Sequence, residues 1–113
     1  MTNFRWGNLA SLLMMLGAAG SVNAASGSAT AQQTDKLAAI LPMCATCHGV
    51  DGVSSVGGYP NLAGQKHEYL AKQLRDFKSG RRDDVVMRPM AEPLDDALID
   101  ALSRHFGQMP GAR

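Results

Sequence analysis

Two cysteines and a histidine stand together at Cys44-Ala45-Thr46-Cys47-His48, and the chain has no other cysteine. A thiol pair at this spacing has four candidate chemistries. A disulfide would close a very small loop and remove little entropy from the unfolded chain. A thioredoxin-like redox pair needs a βαβ setting, and no strand pattern precedes Cys44. A structural zinc site takes about four ligands. Here only two cysteines are present, His48 is too tightly placed beside Cys47, and His67 and His105 lie far along the chain. The fourth chemistry fits the pattern: C-x-x-C-H is the attachment sequence of a covalent haem. On one helical turn, two thiols three positions apart point to the same side and can add to two vinyl groups of one porphyrin edge. The adjacent imidazole then projects towards the iron as its proximal ligand.

Such a motif must be carried on a helix. Thr34 to about Cys47 supplies one: Thr34 can cap it, Asp35 suits its first turn, and Leu37, Ile40, Leu41 and Cys44 fall at helical spacing. Pro42 removes a backbone donor and clashes with the preceding turn, so a kink or a late restart is expected just before the cysteines. Residues 49–64 hold five Gly, a Pro and two Ser and read as loop. Gln65 to Ser79 is the clearest helix, with Leu70, Leu74 and Phe77 on one stripe flanked by Tyr69 and Gln73, and Gly80 as its stop. In residues 81–93, Pro89 and Pro93 argue against helix or central strand. Asp95 can cap a last helix to about Phe106, with Leu98, Ala101, Leu102, His105 and Phe106 inward and Gly107 at its end. No strand pattern emerges. The expected class is all-α with long loops, a small domain that needs a local organiser.

Residues 1–24 read as a secretory signal peptide. Arg5 gives the positive start, Leu9 to Ala19 the apolar stretch, and Val22-Asn23-Ala24 a small-x-small cleavage site. The apolar run is short for a membrane span, so an uncleaved anchor is the weaker alternative, and Ala29-Thr30-Ala31 offers a second cut. Residues 25–33 read as a flexible lead-in and residues 34–113 as one domain. Export places the chain in the periplasm. Formal net charge is +1, which excludes a strongly basic nucleic-acid binder and an acidic disordered tail. Of the 89 residues after the signal, 17 are Leu, Ile, Val or Phe, so the domain is short of core and a cofactor would fill the deficit.

The sequence resembles the class I c-type cytochromes. Cys44-Ala45-Thr46-Cys47-His48-Gly49-Val50-Asp51-Gly52 looks like their haem-binding start. Pro60-Asn61-Leu62-Ala63-Gly64-Gln65, with Tyr69-Leu70 and Gln73-Leu74, resembles a bacterial subgroup that includes di-haem proteins built from two such domains. The likeness runs over about residues 35–106. It implies the cytochrome c fold: three main helices, the first and last crossing, with one haem c in the crevice. It also implies a methionine as sixth iron ligand on the loop before the last helix. Met43 adjoins the motif and Met109 lies beyond the last helix, which leaves Met87 and Met90. Spacing alone does not decide between them; aligning Pro93-Leu94-Asp95-Asp96 with the family pattern implies Met87, with Met90 packed near the porphyrin. Pro60 matches the family proline whose carbonyl accepts a hydrogen bond from the proximal imidazole, which would fix the tautomer and ring plane of His48. Tyr69 and Gln73 share a helix face and could reach a propionate or line the crevice. His105 stands where the family carries an aromatic residue and reads as core; His67 reads as surface.

With His48 and Met87 as axial ligands, no position is left for oxygen or substrate, and the expected role is a mono-haem electron carrier without enzymatic chemistry. Its partners would be a redox donor and acceptor, with no nucleic acid and no stable membrane insertion. One alternative is a haem-bearing subunit of a larger periplasmic dehydrogenase or oxidase; another is a haem enzyme or gas sensor with an open sixth site. Residues 66–88 hold seven Lys or Arg against four acids, and residues 92–100 hold four acids and no base. Such a dipole can orient a redox encounter, or can be no more than solvated helix faces.

Overall fold

The computed structural model describes residues 24–112. The proposed signal peptide lies outside these residues, save for Ala24. Four helices follow in order: α1 (Ala24–His48), α2 (His67–Ser79), α3 (Met87–Ala91) and α4 (Asp96–Gly107). No strand is present among the described residues, in keeping with the all-α class.

α1 departs from expectation three times. It begins at Ala24, so the stretch 25–33 is helical rather than a flexible lead-in. Ala and Gln are good helix formers, and they outweigh the single Gly27. Thr34 is not its cap: its hydroxyl donates back to the Thr30 carbonyl at 3.0 Å, in the helix interior. Nor does Pro42 break the helix, which runs through it to His48. Leu37, Ile40 and Leu41 before the proline and Cys44 after it all pack against the core. Tertiary contacts on both sides therefore hold the turn that the missing N–H weakens.

α2 and α4 carry the strongest amphipathic patterns and pack on each other, with α1 against α4 and α3 against α2. Leu70, Ala71 and Phe77 of α2 meet Leu98, Ile99, Leu102 and Phe106 of α4, with Ala91 and Leu94 completing the cluster. Asp95 caps α4 as expected, its carboxylate accepting from the Leu98 N–H at 2.7 Å. On the inner face of α4, Ile99 and Ser103 are the deepest side chains, whereas Ala101 and His105 are only half-buried. Ser103 is accommodated there because its hydroxyl donates to the Ile99 carbonyl at 2.7 Å.

α3 is the element that the two prolines argued against. Pro89 is the third residue of this helix, and the first four N–H groups of a helix have no intrahelical partner, so the missing donor costs nothing. Pro93 follows the helix, where it prevents continuation.

Candidate haem-attachment site

The motif occupies the last turn of α1. Cys44 and Cys47 are free thiols, both half-buried, and His48 is the final helical residue, 6% exposed. Burial pushes the Cys44 thiol up from its ordinary value, partly opposed by a hydrogen bond to its own backbone. Gly49 ends the helix at φ +85°, its N–H on the Ala45 carbonyl at 2.9 Å. A side chain there would meet the Val53 carbonyl oxygen at 2.1 Å, so only glycine allows the chain to turn away directly behind the histidine.

That turn sends residues 50–63 back over the motif. The Gly52 carbonyl accepts from the N–H groups of Leu62 at 2.8 Å and Ala63 at 3.0 Å. A Cβ on Gly52 would lie 2.9 Å from the Ala63 nitrogen, so the approach requires glycine. Ser54 ties the same loop to the motif: its hydroxyl donates to the Cys47 carbonyl at 2.7 Å, and its N–H donates to the Asn61 side-chain oxygen at 2.8 Å. These bonds deliver the Pro60 carbonyl to the histidine. The Nδ1–H of His48 donates to it at 2.8 Å, which is the contact expected of Pro60. A carbonyl only accepts, so Nδ1 carries a proton, and in that tautomer of the neutral ring the lone pair is on Nε2. Tyr59 stands edge-on to the imidazole, ring centroids 6.4 Å apart.

Met87 opens α3 and is half-buried against the core cluster. Ala91, four residues later on the same face, is completely buried, so Met87 is on the inward side. Met90 is 38% exposed. Tyr69 is half-exposed, and the Gln73 side-chain oxygen accepts from Arg82 at 2.5 Å. His105 lies edge-on to Phe106 at 5.2 Å, packed but not core. His67 is half-buried, with Nε2 at 3.3 Å from the Glu68 carboxylate.

Ser54, Asn61 and Gly52 were given no individual role by the sequence reading, although each fixes the loop behind His48. The clue available in the sequence was the Gly-Ser-Asn content of that loop, which reads only as irregular backbone. Asp84 was also passed over. Its carboxylate accepts from the N–H groups of Met87 at 2.8 Å and Val86 at 2.9 Å, and these two bonds, Met87 first, hold it below the usual carboxylate range.

A helix end bearing two thiols and a hydrogen-bonded imidazole, with a thioether of α3 packed against the same core cluster, fits the class of all-helical covalent haem proteins. The comparisons specify the family. A Cytochrome c family profile matches residues 24–106, and the chain belongs to that family. Cytochrome c4 of Stutzerimonas stutzeri is 39% identical over 113 residues, which cover 92% of this chain and 51% of that protein. A protein named thiosulfate dehydrogenase electron acceptor, from Stutzerimonas stutzeri strain A1501, is 44% identical over 68 residues, 59% of this chain and 32% of its own length. The crystal structure of reduced recombinant cytochrome c4 from Pseudomonas stutzeri matches with TM-score 0.55 at 39% identity, over 58% of this chain and 37% of that one. The chain thus spans about half the length of the cytochrome c4 it matches.

Haem c is the family's covalent cofactor, and the residues fit it. Both thiols are unpaired, they stand one turn apart on the same helix, and the buried imidazole bonds through Nδ1, leaving Nε2 with no hydrogen-bond partner among the described residues.

Proposed function

We propose that this chain is an exported mono-haem c-type cytochrome, an electron carrier and not an enzyme, passing one electron between protein partners by outer-sphere transfer. The observation that carries the reading is the 2.8 Å bond from His48 Nδ1 to the Pro60 carbonyl, directly after the two free thiols. Haem supplies a one-electron Fe(III)/Fe(II) couple when bound. Cys44 and Cys47 would hold it by thioethers, each thiol adding across one vinyl group. His48 offers Nε2 from the proximal side, its ring plane fixed by Pro60. Met87 offers a soft thioether from α3, which favours the reduced state and raises the potential. With His48 and Met87 both engaged in holding the haem, no acid, base or nucleophile would be required of the chain.

Residues 1–24 support export to the periplasm as a cleaved signal peptide. No described helix is long and apolar enough to cross a membrane. The relative named as an electron acceptor of thiosulfate dehydrogenase favours a second reading, in which this chain is the haem-bearing partner of a periplasmic dehydrogenase. Co-purification of a dehydrogenase with the exported chain distinguishes the two. A redox titration of the exported holoprotein tests the carrier itself. A single one-electron wave, with a ferric form that takes up imidazole only weakly, is expected. Tight binding of strong-field ligands by the wild type would overturn it.

A further inference from the structure

We propose that Asp84 is the positioning residue that presents Met87 to the iron. The proposal rests on Met87 being the sixth ligand. Three consecutive N–H groups around that methionine converge on this one residue. Val86 and Met87 donate to its carboxylate at 2.9 and 2.8 Å, and Arg88 donates to its main-chain carbonyl at 3.1 Å.

Apart from the packing of Met87 itself against the core cluster, no other residue among those described is seen to hold that end of α3. The N-cap residue, Val86, makes no side-chain cap bond. Val85 is 91% exposed and Val86 46% exposed, so neither packs it down. The opposite end is anchored by the buried Ala91 and Leu94. A helix of five residues does not sustain its own first turn. Met90, one turn on, is a second thioether that a loosened α3 could offer instead. Asp84 therefore sets which sulfur faces the iron and how often it is released. The neighbouring Asp83 makes no side-chain hydrogen bond or ion pair among the described residues, which makes it a matched control.

Imidazole titration of the ferric holoproteins, followed with the weak far-red band of methionine ligation, tests this. Asp84→Ala is expected to bind imidazole at least about fivefold more tightly than wild type and to weaken the band, because a freed α3 releases its sulfur more often. Asp84→Asn keeps an acceptor oxygen in place and is expected to stay within about twofold of wild type, as is Asp83→Ala. Asp84→Glu keeps the charge but displaces the acceptor by one carbon; it is expected to tighten binding too, and it carries the test if Asp84→Ala loads no haem. Met87→Ala separates the two levels. If it binds imidazole tightly while Asp84→Ala and Asp84→Glu bind like wild type, the Asp84 role is overturned and the ligand stands. If Met87→Ala itself behaves as wild type, the ligand assignment fails and the proposal with it.

Discussion

At the scale of single residues, the site depends on where one proton sits. The Pro60 carbonyl claims the Nδ1 proton of His48, and that leaves Nε2 as a ligand. The other axial group is a choice between two methionines of one short helix. Met87 is the inward one and Met90 is 38% exposed, so Met87→Ala should abolish the far-red ferric band, whereas Met90→Ala should leave it unchanged, as read by the visible spectrum of each oxidised variant. Spacing alone left Met87 and Met90 as a pair of candidates, because they have the same chemistry and similar positions, and only the family likeness implied Met87. What separates them is burial, set by Ala91 and Leu94 further along. Asp76 carries a pH prediction. It is buried near the end of α2, with Lys72 and Arg81 on its two oxygens, and their hydrogen bonds, Lys72 first, hold its carboxyl below the ordinary range. Its folded-state value is depressed, so its contribution is complete above the ordinary carboxylate range, near about pH 4, and is lost as pH falls towards the folded value. Acid unfolding followed by circular dichroism should show a shallower fall in stability for Asp76→Asn than for wild type between about pH 5 and pH 2.

At the scale of elements, α2 and α4 were readable from apolar spacing and their stops, and both form nearly where that spacing puts them. α1 was readable only in its second half. Pro42 and the Ala-Gln lead-in are local signals, and packing of Leu37, Ile40, Leu41 and Cys44 overrides the first of them. α3 could not be seen, because two prolines in seven residues mimic a loop unless the position of Pro89 within the first turn is known. The loop between α1 and α2 was legible as a loop. The bonds from Ser54 to Cys47 and Asn61, which bring Pro60 to the imidazole, join residues that no local pattern links. The α2–α4 contact is the most extensive between elements among the described residues. Ile99, 1% exposed, belongs to the apolar cluster that these helices share, and Ile99→Ala should cost about 2–5 kcal/mol in denaturant unfolding of the holoprotein. A cost below about 1 kcal/mol would mean that this interface is not the core.

At the scale of the whole molecule, the shortage of large apolar residues is borne out by the core that forms. Ten apolar side chains are buried among the described residues, and three of them are alanines: Ala63, Ala71 and Ala91. Val50 and Val56, after the motif, and Val85 and Val86, before Met87, remain exposed. A chain this small with so little core depends on its cofactor. The Cys44→Ser, Cys47→Ser double variant, prepared without haem, should therefore show no cooperative thermal transition; a native-like one would refute that dependence. The basic stretch of residues 66–88 is largely spent within the molecule. Lys72 and Arg81 bind Asp76, Arg75 binds Asp96, Lys78 bonds the Leu94 carbonyl, and Arg82 covers Phe77. That arrangement favours solvated helix faces over a steering field, and it leaves recognition to the surface around the cofactor. The electron-carrier role rests on one covalent event at Cys44 and Cys47. A pyridine haemochrome spectrum combined with the intact mass of the exported protein measures it directly. A two-thioether haem c spectrum and the mass of the processed chain plus one haem, with no free thiol, are expected. An apoprotein mass with two titratable thiols would contradict it.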